Sequence, residues 1–258
     1  MKIVVLVKEV PDTYGDRHLN LETGLADRAA SDPVLDEIGE RALEVALSHA
    51  DSDDSAEVVV LSMTPESAVA SVRKGLAMGA SHAVQVADPA LAGADLGLTA
   101  EALAAALKRI GFDLVITGNA STDGAAGVIP SMLAELLQVP AATGLSTVEI
   151  ASDRVSGTRV TDGASAQVSA SLPAVISITE ALPDARFPNF KGIMAAKKKP
   201  FETLTLADLG IDAEDFGVPR SIMVSVAARP PRQAGVKVTD EGDAGVKIAE
   251  FLVSNGLA

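Results

Sequence analysis

Neither cysteine nor tryptophan occurs in the 258 residues, and tyrosine occurs once. Without cysteine there is no disulfide, no thiolate nucleophile and no cysteine-ligated zinc or iron–sulfur cluster. Such a composition fits a reducing compartment. Aromatics make up 3% of the chain, so each ring asks for its own explanation. His18, His49 and His82 stand apart, with no HxxxH spacing or acidic companion, so metal catalysis is not expected. Long apolar runs are also missing. No stretch approaches the roughly 20 residues that a membrane helix needs. The apolar run within MKIVVLVKEVPD is too short for the core of a secretory signal. The expectation is a soluble, cytoplasmic protein. Cations are outnumbered, 21 Lys and Arg against 35 Asp and Glu, for a net charge of −14. That balance argues against nucleic-acid binding, which needs a basic face to displace counterions from phosphates.

What the chain has is aliphatic residues in a repeating pattern, and 48% apolar content is enough for a large core. Ile3 to Val7 and Val58 to Leu61 read as buried strands, apolar on both faces, and His82 to Val86 and Asp113 to Thr117 as a third and a fourth strand. Between them lie helical patterns over 34–50, from Thr64-Pro65-Glu66 to about 80, and over 97–110; another covers 128–137. Strands alternating with helices predict an α/β fold with a doubly wound, mostly parallel sheet of the Rossmann-like, nucleotide-binding kind. After Pro140 the texture changes. Residues 145–150, 154–160 and 166–171 alternate apolar and polar, which predicts an antiparallel insertion. Pro173 to Ile178 returns to a buried strand, and a linker-like PRQAGVKVTDEGD precedes an amphipathic C-terminal helix, VKIAEFLVSN. The predicted division is an α/β domain over 1–230 and a C-terminal arm over 231–258.

Two stretches are candidates for function. The first, TGNASTDGAAG at 117–127, follows the fourth strand and precedes a helix. Small residues let backbone N–H groups approach an anion, and the helix adds the positive end of its dipole. If the first and fourth strands are neighbours where the strand order reverses, this loop faces VKEVPDTYGD across a crevice. The alternative is a tight turn and nothing more. No nucleophile elbow, paired carboxylates or pyrophosphatase loop accompanies it, which favours a binding protein or an electron carrier.

The second stretch is DARFPNFKGIMAAKKKP at 184–200. Phe187 and Phe190 stand among Pro188, Asn189 and Gly192, residues that predict a loop with neither regular helix nor central strand. Arg186, Lys191, Lys197, Lys198 and Lys199 surround them. Either the rings fold back onto the core beside a solvated lysine run, or the loop docks another protein.

VLVKEVPDT (5–13), LDEIGERALEVAL (35–47), GLAMGASHAV (75–84), ITGNASTDG (116–124), LPAVISITEALPDARFPNFKGIMAAKKKP (172–200) and QAGVKVTDEG (233–242) occur in that order. Together they resemble the beta subunits of electron-transfer flavoproteins, the bacterial forms in particular, nearly from end to end. The resemblance implies an electron carrier rather than an enzyme with its own substrate. It implies a heterodimer with an alpha subunit that holds most of the FAD. That dimer takes electrons from acyl-CoA dehydrogenases of fatty acid β-oxidation and other flavin dehydrogenases, and passes them toward a quinone oxidoreductase. It further implies a structural AMP, or in bifurcating relatives a second FAD, in a pocket of the beta subunit. The positions that match this pocket are Leu6, Val7 and Lys8; Pro33, Val34, Leu35 and Asp36; Met63; and Gly118, Asn119, Ala120 and Ser121. Asp123, Gly124, Ala125, Ala126, Gly127, Val128 and Ile129 complete it and supply the phosphate contacts through backbone groups, without a lysine. The partner-recognition loop matches 185–194, so Arg186, Phe187, Pro188, Asn189, Phe190, Lys191, Gly192, Ile193 and Met194 are the expected docking residues, with Phe190 as anchor. Lysines 197–199 are expected to support the fold or the alpha-subunit contact, or to be plain solvated charge. The arm is expected to pack on the alpha subunit.

Some positions depart from the family pattern. Phe190 stands where relatives often have Leu. Val160 follows Arg159 where many have an acid, which puts an interdomain salt bridge in doubt. Tyr14 lies next to, instead of on, the position of a flavin-facing aromatic, and Leu35 stands where some have Phe. Flavin contact by Tyr14 is an expectation to test. The rival readings are a bifurcating subunit with a second FAD and a stand-alone ATP-binding module of the stress-protein type.

Overall fold

The computed structural model describes residues 1–258 except Asp16, Phe216, Gln233 and Val236. Asp16 at the end of VKEVPDTYGD, and Gln233 and Val236 in the linker-like stretch, therefore lie outside the described residues. The chain forms two units, Met1–Ser225 and Val226–Ala258.

The first unit follows the alternation read from the sequence. In chain order it contains β1 (Lys2–Leu6), β2 (Glu9–Pro11), β3 (Pro33–Leu35), α1 (Glu37–Ala50), β4 (Glu57–Met63), α2 (Val69–Met78), β5 (His82–Val86), α3 (Leu96–Ile110), β6 (Leu114–Gly118) and α4 (Ile129–Leu137). There follow β7 (Ala141–Leu145), β8 (Glu149–Ile150), β9 (Arg154–Thr161), β10 (Ala164–Ser171), β11 (Ala174–Ile178), α5 (Phe190–Ala196), β12 (Phe201–Leu204) and α6 (Leu206–Leu209). The second unit holds α7 (Ala244–Ser254), which has no buried residue.

The main sheet runs β10-β9-β7-β11-β6-β1-β4-β5-β12, with β8 on β9. Everything from β7 to β12 along that order is parallel, and β8, β9 and β10 form the antiparallel end. Val4 in β1 shows why the central strands read as unbroken apolar runs: it pairs with Val59 on one side and Val115 on the other. Alternate residues of β1 serve opposite cores. Ile3 and Val5 pack with Leu43 and Leu47 of α1 and Leu76 of α2, and Val4 packs with Leu103 and Leu107 of α3 and Leu133 of α4. Both faces are covered, as a parallel sheet requires.

Several expectations need correction. The helical pattern over 34–50 begins only at Glu37, because Pro33–Leu35 pair antiparallel with Glu9–Pro11 and make a small separate ribbon. Ala141–Leu145 is a strand parallel to β11 that the sequence reading missed; its Gly144, at φ +70, weakens the local strand signal. Phe201–Leu204 adds an unforeseen edge strand beside β5. Residues 190–196, expected to be irregular, form α5. The Asn189 side chain caps it by accepting from the Gly192 amide at 2.8 Å, which offsets the glycine's poor helix propensity.

Candidate functional site

β1 lies between β4 and β6, so the strand order reverses at its two neighbours. Ligands of open parallel sheets sit at the carboxyl ends of the strands at such a reversal. Leu6, Val7 and Lys8 leave the end of β1, Met63 ends β4 and Gly118 ends β6. Pro33, Val34, Leu35 and Asp36 lead into α1 beside them, since the Asp36 amide donates to the Lys8 carbonyl at 2.9 Å. The carboxyl ends of these central strands therefore gather the positions proposed for the nucleotide.

Local sequence explains the close approach. A Cβ on Gly118 would lie 2.6 Å from Ile38 Cγ2, so only glycine lets α1 pack over the end of β6. Asp36 occupies the N-cap position of α1 but makes no cap bond there. Its Oδ2 instead accepts the Thr122 amide at 2.9 Å and fastens the loop to α1. Burial pushes the Asp36 carboxyl up, against the lowering effect of the Thr122 amide, and the nearby Asp123 pushes it the same way. Asp36 Oδ1 and Thr122 Oγ1 are buried without a partner among the described residues.

Within the loop, the Asn119 side chain accepts from Ala120 N at 2.9 Å, and Ala125 N donates to the Ser121 carbonyl at 2.9 Å. Ala125 takes φ +50 and Gly127 φ +67. A left-handed alanine is uncommon and costs energy, a feature often found at binding loops. Among the described residues, the amides of Ala126, Gly127 and Val128 have no protein acceptor. These three exposed donors precede α4, so an anion placed there meets free N–H groups and the helix dipole. This arrangement suits a nucleotide phosphate.

The loop is less neutral than its composition suggests. Asp123 Oδ1 lies 2.8 Å from Lys8 Nζ and Oδ2 lies 2.8 Å from Arg28, while the carboxylate itself is nearly buried. Burial raises the Asp123 pKa, but Lys8 and Arg28 outweigh it and hold the group far below the usual carboxylate range. Arg17 also donates to the Thr122 carbonyl. The sequence reading missed Arg17 and Arg28, because nothing local in RHLNLETGLADR marks residues that will reach the far loop. Tyr14 stands apart, fully exposed on the wall of a shallow cleft with Asp12, Gly15 and Ser31.

The second candidate segment runs from Asp184 to Pro200. Phe187 and Phe190 are 93% and 79% exposed, and Ile193 and Met194 are about half exposed. The rings do not fold back onto the core. Arg186 turns inward to Glu44, midway along α1, and to Asp51 at its C-cap. Pro188 is half-buried, and Asn189, Lys191, Lys197 and Lys198 are exposed. Lys199 is a structural residue. Its Nζ donates to the carbonyls of Leu76 at 3.0 Å, Gly79 at 3.2 Å and Ala80 at 2.6 Å, closing the C-terminus of α2. Arg159 bonds the Thr143 carbonyl at 2.6 Å, and Val160 is exposed.

The electron transfer flavoprotein domain model matches residues 24–209. The chain is 44% identical over 260 residues to the electron transfer flavoprotein subunit beta of Mycobacterium leprae, covering 98% of this chain and 97% of that one. It is 45% identical over 259 residues to the subunit of that name from Mycobacterium tuberculosis, with the same coverage. The chain belongs to the electron transfer flavoprotein beta-subunit family. It is also 31% identical over 237 residues to the caffeyl-CoA reductase-Etf complex subunit CarD of Acetobacterium woodii, covering 91% of this chain and 90% of that one. Electron transfer is thus the role of the family to which both candidate segments belong. Among the described residues no helix is long and apolar enough to cross a membrane.

Proposed function

We propose that the chain is the beta subunit of a heterodimeric electron-transfer flavoprotein that carries electrons from acyl-CoA and related flavin dehydrogenases toward a quinone oxidoreductase. Residues 185–194 dock the dehydrogenase. The observation that carries the proposal is the pair Phe187 and Phe190, which stands almost fully exposed on a segment fastened at both ends. Large rings are rare in this chain, and leaving two in water is unfavourable unless a partner covers them. Burying one Phe gains about 1.5–3 kcal/mol, roughly one to two decades of affinity. A contact of that size suits a carrier that must release after each transfer.

The crevice at the ends of β1, β4 and β6 takes AMP, with its phosphate on the free amides of Ala126 to Val128. FAD, held mainly by the alpha subunit at the interface, supplies the redox chemistry. The beta chain contributes the fixed nucleotide site, the docking segment and the arm. Residues 231–258 are assigned to the alpha-subunit contact, because Val246, Ile248 and Phe251 of α7 are each about 60% exposed. A second reading places another FAD in the same crevice where AMP is proposed. Cytoplasmic location belongs to the same proposal.

The docking assignment is tested by Phe190→Ala in the complex with the alpha subunit. Flavin reduction driven by an acyl-CoA dehydrogenase is expected to fall while reduction by dithionite persists. Equal loss of both, or of neither, contradicts docking through Phe190.

A further inference from the structure

We infer that Arg186 is a positioning residue for docking, holding Phe187 and Phe190 in place from behind instead of touching the partner itself. The inference rests on the docking reading of 185–194.

The exposed rings pack against little of their own chain, so order in this segment has to come from its backbone ties. On the downstream side these are plain. The Asn189 side chain caps α5, Arg73 donates to the Ala196 carbonyl at 2.9 Å, and Lys199 binds the end of α2. Upstream of the rings, Arg41 holds the Leu182 carbonyl and pairs with Asp184, and then Arg186 takes over, directly before Phe187.

Its geometry is that of a clamp. Nε and Nη2 reach the two oxygens of Glu44 at 2.8 Å each, and the Arg186 amide adds a third bond to the same carboxylate at 3.0 Å. Nη2 and Nη1 reach the two oxygens of Asp51 at 2.8 and 3.4 Å. The fork is therefore shared between a carboxylate midway along α1 and one at its C-cap, and little donor capacity remains for a partner. Glu44 is held in turn by Ser48 Oγ at 3.0 Å. Burial opposes ionisation of Glu44, but the Arg186 bonds outweigh it, so the pair stays charged at neutral pH. A planar fork fixes direction as a lysine cannot. Prearranging a docking segment raises affinity by removing the ordering cost at binding.

The test uses the complete complex with its alpha subunit and the variants Arg186→Ala, Arg186→Lys and Asp51→Ala. Two quantities are read: the KM for an acyl-CoA dehydrogenase, and hydrogen exchange of amides 187–193 in the free complex. Arg186→Ala is expected to speed that exchange, with β1, β4 and β6 unaltered, and to raise KM on the order of tenfold with the effect on KM, not kcat. Arg186→Lys and Asp51→Ala should fall between it and the parent; Asp51 is largely exposed, so that variant tests the clamp even if Arg186→Ala does not fold. A raised KM with unaltered exchange makes Arg186 a contact residue and overturns the inference. Faster exchange with an unaltered KM overturns it too. Phe190→Ala in parallel separates the two levels. If it leaves dehydrogenase-driven reduction intact, the docking reading fails; if it impairs reduction while Arg186→Ala does not, only the positioning role fails.

Discussion

Lys8 Nζ lies 2.8 Å from Asp123 Oδ1, and this ion pair joins the end of β1 to the loop that leads into α4. Arg28 holds the other Asp123 oxygen, so one carboxylate gathers the two sides of the crevice. Its pKa is lower folded than unfolded. The stability it contributes is therefore full above the ordinary aspartate range and is lost as pH falls through the lower folded value. Asp123→Asn is expected to destabilise the protein by about 1–2 kcal/mol at neutral pH, since the cations are half exposed and partly screened. Denaturant melts of both proteins should converge in strong acid. A gap that stays constant across pH contradicts the pairing. Asp36, whose pKa burial raises, acts in the opposite sense: its contribution is present at low pH and declines as pH rises through that raised value.

The three lysines at 197–199 are predicted to separate cleanly. Lys199→Met removes the cation that closes α2 and should cost about 1–2 kcal/mol in thermal or urea unfolding. Lys197→Ala and Lys198→Ala, both at exposed positions, should stay within about 0.5 kcal/mol of the parent. Equal effects at all three positions contradict the capping role.

Gly192 is predicted to tolerate no side chain. A Cβ there would lie 2.3 Å from the Ala77 carbonyl oxygen, a backbone atom that cannot swing aside. Gly192→Ala should push α5 off α2 and weaken dehydrogenase-driven reduction, while bound nucleotide is retained. Parent-like reduction kinetics would show that this contact does not govern docking.

Tyr14→Ala tests the flavin contact expected of the single tyrosine. The contact predicts a shifted flavin absorbance or potential in the complex. An unchanged spectrum and potential leave Tyr14 as the exposed loop residue seen in the free chain.

How much of this was readable in the sequence depended on the range of the interaction. Ile3 to Val5, apolar at every position, announced a strand buried on both faces, and the small residues from Gly118 to Gly127 announced a loop made for close approach. Both signals are local. Val34 and Leu35 of the ribbon were read as helix because its partner, Glu9–Pro11, lies across a long excursion that no periodicity reveals. α5 was read as loop because Gly192 looked like a breaker. The readable clue was Asn189, a good N-cap, ahead of a run rich in Lys, Met and Ala. The ties at Arg28, Arg17 and Arg186 join distant segments, so composition gave their charge but not their partners. Family resemblance supplied the positions of the crevice; the structure supplied the ion pairs that hold it.

The most direct test of the account is the ligand content of the protein purified with its alpha partner, released by denaturation and quantified by mass spectrometry. One AMP and one FAD per heterodimer are expected. Two FAD and no AMP would contradict it, placing a flavin diphosphate, not a structural nucleotide, on the loop from Thr117 to Ile129.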